Sequence, residues 1–243
     1  MIYKKIISKV KNSNKLFAVL IDPENIKKDN LVQTVKMADS CMVDMIFVGG
    51  SLVSENIDKP IEVIKSLTQI PVLLFPGSLL QISGKADGIL LLSLISGRNP
   101  EYLIGNHVQA APLLKKLHLE IIPTAYLLTG NADVTAVGYI SNTTPIPYHK
   151  TDLLAATAMA GEMLGNRLIY LEAGSGAANT LPPEAIKSVK ENISVPLIVG
   201  GGFKTSQAVS EAYQAGADIV VIGNALEKDR SLLEKVSKVK FSL

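Results

Sequence analysis

VPLIVGGGFKT, residues 195–205, followed by ADIVVIGNAL, residues 217–226, decides how the chain is built. In both stretches a short, unbroken apolar run rich in Val and Ile stops at glycine and passes into a segment with helical spacing. A run that does not alternate with polar residues suits a strand covered on both faces in a parallel sheet. The same pattern recurs upstream in LFAVLI from Leu16, DMIFV from Asp44, PVLLF from Pro71, GILLL from Gly88, LEIIPTA from Leu119 and RLIYLEA from Arg167. Helix-like spacing separates most of these runs, over residues 30–38, 60–67, 101–117, 152–164, 183–191, 205–215 and 224–239. Eight strands alternating with helices predict an α/β fold, a closed (β/α)8 TIM barrel. An open doubly wound sheet is the alternative, and it needs a reversal of strand order that sequence does not display.

Two departures from a regular barrel are expected. The link from PVLLF to GILLL is only about a dozen residues, short for a crossover helix, so the third helix should be missing or replaced by an irregular segment. The link from Tyr126 to Asn166 is long, and its first part carries Gly, Asn and several turn clusters. It should form a structured loop over the barrel mouth. No shift in composition marks a second domain, so residues 1–243 are read as a single barrel domain.

Composition narrows the function. With 47% hydrophobic residues in 243, a large buried core is feasible, and a net charge of +2 gives no reason to expect nucleic acid as a partner. Cys41 is the single cysteine, which excludes an internal disulfide and cysteine-built zinc sites and fits a reducing cytoplasm. The beginning MIYKKIISKVKNSNK lacks the apolar core of a signal peptide, and the longest apolar runs are too short to span a bilayer. Peripheral membrane contact stays open. His107, His118 and His149 show no metal spacing, and surface or capping roles are expected for His107 and His118.

In such a barrel the site lies at the strand C-termini, so the residues that follow each run matter most. After the first run comes Asp22, a carboxylate suited to Mg²⁺, which binds through one or two carboxylates plus substrate phosphates. An Asx turn or helix cap explains Asp22 at least as readily. After the second come Gly49, Gly50 and Ser51, either a ligand loop or a tight turn. After the sixth comes AGSG with Gly174, Ser175 and Gly176; after the seventh, Gly200, Gly201 and Gly202; after the eighth, Gly223 and Asn224. Loops after the last two strands, with a helix N-terminus close by, form the recurrent phosphate site of this fold. Glu172 stands beside this cradle, where a second anion would repel a phosphate but a base could take a proton from a substrate hydroxyl. Tyr170, on the same strand face, can hydrogen-bond that hydroxyl. A salt-bridged interior acid is the other reading of Glu172. Walker, dinucleotide-fingerprint, CxxC and HExxH spacings do not occur.

LFAVLIDPEN, FVGGS, PVLLFPGS, YLEAGSG, IVGGGFKT and VIGNAL, in this order and spacing over essentially the whole chain, resemble the geranylgeranylglyceryl phosphate synthase family, prenyltransferases of ether-lipid synthesis. The resemblance implies a modified barrel with an irregular segment for its third helix. It implies that the 3-hydroxyl of sn-glycerol 1-phosphate attacks C1 of geranylgeranyl diphosphate, releasing diphosphate, with Mg²⁺ required. Carried over, Asp22 and Ser51 would hold Mg²⁺. Tyr170, Leu171, Glu172, Ala173, Gly174, Ser175 and Gly176, with Gly201, Gly202, Gly223 and Asn224, would hold glycerol phosphate. Glu172 would take the hydroxyl proton. Phe75, Leu79, Leu80, Leu94, Ile95, Ile104, Tyr126 and Leu127 are candidates for an apolar groove, with Tyr126 at its flank. Relatives using a heptaprenyl donor carry Lys two positions before the Asp of the DP motif, where this chain has Leu20. That favours the geranylgeranyl donor over heptaprenylglyceryl phosphate synthesis. A sugar-phosphate isomerase or lyase on a similar barrel, or a non-catalytic phosphate-binding barrel, are the competing readings. By resemblance a homo-oligomer is expected.

Overall fold

Strand β1 (Leu16–Ile21) pairs in parallel with both β2 (Met45–Val48) and β8 (Ile219–Ile222), and this double pairing closes the sheet. Between them run β3 (Val72–Leu74), β4 (Gly88–Leu94), β5 (Glu120–Leu128), β6 (Leu168–Glu172) and β7 (Leu197–Gly200), in sequential order around a closed eight-stranded barrel. The coordinates are a computed structural model that describes residues 1–24, 26–53, 56–130, 135–174, 177 and 179–242, with only the backbone of 227 and 228.

Successive strand residues point to opposite faces. Phe47, Leu73, Leu90, Ile122, Leu168, Tyr170, Ile198 and Val221 fill the barrel interior. Ile46, Val72, Leu127, Ile169, Leu171, Val199 and Val220 pack outward against the helices. Both faces are apolar, which is why the runs read as continuous.

The outer layer holds α2 (Lys28–Ser40), α3 (Asp58–Leu67), α4 (Asn106–Lys116), α6 (Thr151–Met163), α7 (Pro183–Lys190) and α8 (Ser206–Gln214), with α1 (Ile2–Lys11) ahead of the first strand. Between β3 and β4 stands only the 3₁₀ turn Leu79–Gln81, so the third crossover helix is replaced as expected. In the long link after β5, Thr129 bridges Ile146, and a short helix α5 (Ala136–Ser141) begins at Thr135, whose hydroxyl accepts from Gly138 N at 3.1 Å.

Two expectations need correction. A π-helical turn, Glu101–Gly105, leads into α4. The continuous helix expected over 224–239 is instead α9 (Ala225–Lys228) and α10 (Leu232–Ser242). Asp229 breaks it, with extended backbone and a carboxylate that accepts from Ser231 N and Oγ at 2.9 and 2.6 Å. Asp and Ser commonly divert the backbone in this way.

The floor of the barrel is built separately. Ile6 of α1 reaches the interior cluster beside Leu16. Glu120, at the start of β5, accepts from the backbone N–H groups of Ile2 and Tyr3, capping a helix whose own N-terminus offers no side-chain cap. Asp44, Asp87 and Asp218 each precede a strand and accept a backbone N–H from the neighbouring strand, at Phe17, Val72 and Leu197. Each also meets a lysine: Lys9 and Lys240, Lys65, and Lys190.

Ile6→Ala should cost about 2–4 kcal/mol in urea unfolding, the range for a large-to-small change in a packed core. Ligand binding at the opposite end of the barrel should be unchanged.

Candidate active site

The C-terminal ends of the strands open into one cavity of about 860 Å³. Asp22, Ser51, Tyr126, Tyr170, Glu172, Gly174, Gly201, Gly202, Gly223 and Asn224 all line it. Residues far apart in sequence therefore converge because each lies near or just beyond the C-terminal end of a strand. Leu171 and Ala173 turn their side chains into the layer between barrel and helices, so only their backbone is available to the site. Ser175 and Gly176 lie outside the described residues.

Glu172 is the last residue of β6 and is 5% exposed. Its Oε1 accepts from Gly174 N at 2.7 Å, in a turn that gives Gly174 a φ of +104°, a region glycine enters at no steric cost. Burial pushes the Glu172 carboxyl up to about 7; the Gly174 N–H, and then the nearby Tyr170 hydroxyl, offset part of that rise. A carboxyl of this kind changes protonation near neutral pH, as a general base requires. Among the described residues it has no cationic partner, which sets aside the salt-bridged alternative.

Tyr170 lies two residues earlier on the same face. Its hydroxyl is buried and makes no hydrogen bond of good geometry among the described residues. Burial, then the Glu172 charge, holds its pKa well above the ordinary tyrosine value, so it stays a donor. Its ring packs on Tyr126 at 5.3 Å and Phe75 at 5.1 Å between centroids, with Phe75 stacked on Phe47 at 6.1 Å.

The glycines have specific work. Register pairs Glu172 with Gly200 across β6 and β7. A Cβ at Gly200 would collide with the Tyr170 hydroxyl. Gly201 has φ +89°, and a Cβ there would lie 2.5 Å from Glu172 Oε1. Gly202, at φ +75°, packs against the backbone of Asn179 and Thr180. Gly200 needs glycine for space, and Gly201 and Gly202 need it for both space and backbone.

Across the barrel, Asp22 Oδ1 accepts from Glu24 N at 3.1 Å, so the expected Asx turn is present, yet the side chain also borders the cavity. A Cβ on Gly50 would stand 2.8 Å from the Asp22 carboxyl, so the bare backbone keeps one side of that carboxylate clear. One carboxylate, the Ser51 hydroxyl and exposed backbone form an all-oxygen donor set that fits Mg²⁺ shared with a phosphate ligand. No group of three His, Cys, Asp or Glu side chains among the described residues could hold a metal alone.

The apolar wall continues through Phe75, Leu79, Leu92, Leu94 and Tyr126 to Ala110 on α4 and Ile140 on α5. Of the groove candidates, Phe75, Leu79, Leu94 and Tyr126 line the cavity; Leu80, Ile95, Ile104 and Leu127 do not. His107 also lines it, with Nε2 at 3.0 Å from Ser93 Oγ, so the surface or capping role expected for it is not met.

Comparison with known proteins agrees with this geometry. Residues 8–240 match the PcrB family. The chain belongs to the PcrB family. A Flavobacterium johnsoniae protein named geranylgeranylglyceryl phosphate synthase is 49% identical over 229 residues, covering 94% of each chain. A Chitinophaga pinensis protein of the same name is 46% identical, covering 97% of this chain and 94% of its own. The crystal structure of (S)-3-O-geranylgeranylglyceryl phosphate synthase from Thermoplasma acidophilum, in complex with its substrate sn-glycerol-1-phosphate, superposes with a TM-score of 0.94 at 32% identity, covering 99% of this chain and 98% of that one.

Three residues in or beside this PcrB-family site have roles that sequence reading did not assign. Gly200 was visible only as part of a glycine run; its need for a bare Cα comes from Tyr170. Lys204 is the sole Lys or Arg among the described lining residues, and GGGFKT placed it at the mouth without a role. Gln81, in the irregular segment, carried no signal.

Glu172→Gln should stabilise the fold in a pH-dependent way. The folded-state pKa is raised from 4.5 to about 7, so the folded protein binds the proton more tightly and loses stability as pH rises through that window. The variant escapes this loss. Its advantage should be absent near pH 4 and reach at most about 3 kcal/mol above pH 7, read by urea unfolding at both pH values. Gly200→Ala should displace Tyr170 and cost roughly 1–3 kcal/mol, as overpacking does.

Proposed function

We propose that the chain is a prenyltransferase that joins the 3-hydroxyl of sn-glycerol 1-phosphate to geranylgeranyl diphosphate. The observation that carries this reading is the position of Glu172. A buried carboxyl that titrates near neutrality sits between a glycine-lined polar pocket and a long apolar wall. A sugar-phosphate isomerase has use for the first neighbour and none for the second.

On this reading the phosphate is received by the backbone around Gly201, Gly202, Gly223 and Asn224. Lys204 adds the positive charge that the acidic lining lacks. The glycerol 3-hydroxyl faces Glu172 and the Tyr170 hydroxyl. Its oxygen attacks C1 of the prenyl donor, the bond from C1 to the diphosphate oxygen breaks, and the hydroxyl proton passes to a Glu172 oxygen. Asp22 and Ser51 would hold Mg²⁺, which when bound neutralises the departing diphosphate. The aromatic cluster and the apolar wall enclose the prenyl chain and exclude water from C1. Exposed Leu153, Met163 and Leu164, on and beside α6, offer a surface for a homo-oligomer. No helix among the described residues is long and apolar enough to cross a membrane, so contact with lipid would be peripheral.

Labelled sn-glycerol 1-phosphate, Mg²⁺ and prenyl diphosphates from C15 to C35 should yield an extractable ether that peaks at C20. The sn-3 enantiomer should yield none. A peak at C35 would reassign the donor, and the absence of ether with every donor would overturn the reading. Glu172→Gln should lower turnover by about 10²- to 10⁴-fold while glycerol phosphate still binds. In wild type, kcat/KM should rise with pH through a limb near 7, because the base must be ionised, and this limb should vanish in the variant. Tyr126→Ala should raise KM for the prenyl donor and leave that for glycerol phosphate unchanged.

A further inference from the structure

Gln81 is fully buried, does not line the cavity, and belongs to the 3₁₀ turn that stands where a third helix would be. Its carboxamide makes two hydrogen bonds to one residue. Oε1 accepts from Gly50 N at 3.1 Å, and Nε2 donates to Gly50 O at 2.7 Å. Gly50 lies beyond the end of β2, where strand pairing no longer holds the chain. A side-chain amide has the same donor, acceptor and planarity as a peptide group. Gln81 thus supplies the pairing that a further strand residue would have given, and it fixes the plane of the peptides on both sides of Gly50.

The surroundings show why that plane matters. Gly50 faces the Asp22 carboxyl, and Ser51 follows it directly. Gly77, after β3, lies so close that a Cβ there would overlap Gly50 O and come within 3.1 Å of Ser51 Cα. Gly49, at φ +154°, leaves no room for a Cβ against the Phe75 carbonyl. The turn itself is tied down two residues later, where Ser83 Oγ donates to Asp58 at the start of α3. The segment in place of a helix is therefore anchored at one end and grips the β2 loop with the other.

We propose that Gln81 is a positioning residue for the diphosphate end of the prenyl donor, acting through Gly50 on Ser51 and Asp22. This rests on the reading of Asp22 and Ser51 as the diphosphate-side residues. Loss of both bonds leaves a buried N–H and C=O unsatisfied, and the loop relaxes to recover them. Partners one step behind metal ligands typically change affinity by about 10- to 100-fold.

The test compares wild type with Gln81→Leu, which keeps the bulk and removes both bonds. KM for prenyl diphosphate should rise about tenfold or more, while KM for sn-glycerol 1-phosphate moves less than about twofold. In calorimetry without prenyl donor, the affinity for inorganic diphosphate with Mg²⁺ should fall by the same factor. Equal shifts in both KM values, or an unchanged diphosphate affinity beside a lower Tm, would mean a structural role only and overturn the proposal. If Gln81→Leu does not fold, Gln81→Glu keeps the shape. Its carboxyl reproduces both bonds when protonated and repels Gly50 O when ionised. Diphosphate affinity should then fall more steeply with rising pH than in wild type; a slope equal to wild type overturns the proposal. Wild type that binds Mg²⁺–diphosphate but transfers no prenyl group defeats the functional reading and leaves the Gln81 comparison intact. Wild type that binds none overturns both.

Discussion

Burying an ionisable carboxyl is costly unless something else in the protein answers for it, and the strand ends around Glu172 are shaped by that cost. Among the described residues the protein supplies one good donor, Gly174 N, and no cation. The carboxyl therefore titrates near neutrality instead of near 4.5. The same burial constrains its neighbours. A side chain at Gly201 would meet Oε1, and one at Gly200 would push the Tyr170 hydroxyl away. Glycines that read as a phosphate cradle thus also make room for the acid and the phenol. The proposed phosphate cradle and the room for the buried acid come from the same small set of residues.

Stability is carried elsewhere. At the floor, α1 fills the barrel end, and the aspartates before β2, β4 and β8 tie neighbouring strands together. Each meets a lysine, and Asp44 and Lys240 are both nearly fully buried. A barrel closed in this way tolerates glycine-rich, irregular backbone at its mouth. It also tolerates loss of a whole helix between β3 and β4, because the gap is filled by a turn whose buried amide stands in for missing backbone pairing.

The barrel itself was legible in the sequence because strands buried on both faces leave unbroken apolar runs, and eight such runs have few other arrangements. The missing third helix was legible by length alone. The convergence of Asp22, Ser51, Glu172 and the glycines was legible once the barrel was, since the topology brings every strand end to one rim. What stayed hidden depends on contacts between distant residues. Gln81 looks like any polar residue in a loop until it meets Gly50. His107 reads as a helix surface residue because its spacing says nothing of Ser93. The break at Asp229 was missed because apolar spacing continues across it, whereas the Asp–Ser turn decides locally. The α1 plug was overlooked for a similar reason: it needs the acceptor Glu120, 118 residues away.

The order of strands also places the two halves of the proposed chemistry. In a closed barrel of eight, β2 lies opposite β6. Ser51 follows β2 and Asp22 follows the adjacent β1, while Glu172 ends β6. On the proposed reading, a diphosphate held on the first side and a hydroxyl activated on the second would meet C1 of the donor from opposite directions. Displacement at carbon favours that line, with the incoming oxygen on one side and the leaving oxygen on the other. The separation would also keep the proposed base away from the most negative part of the donor, whose field would otherwise raise its pKa further and hold it protonated. The aromatic cluster of Phe75, Tyr126 and Tyr170 lies across the space between, linking β3 and β5 to β6. A developing allylic cation at C1 would form beside those ring faces, which carry the negative side of the aromatic quadrupole. The parallel barrel thereby turns a linear order of motifs into a separation of charges that an ether-forming transfer can use.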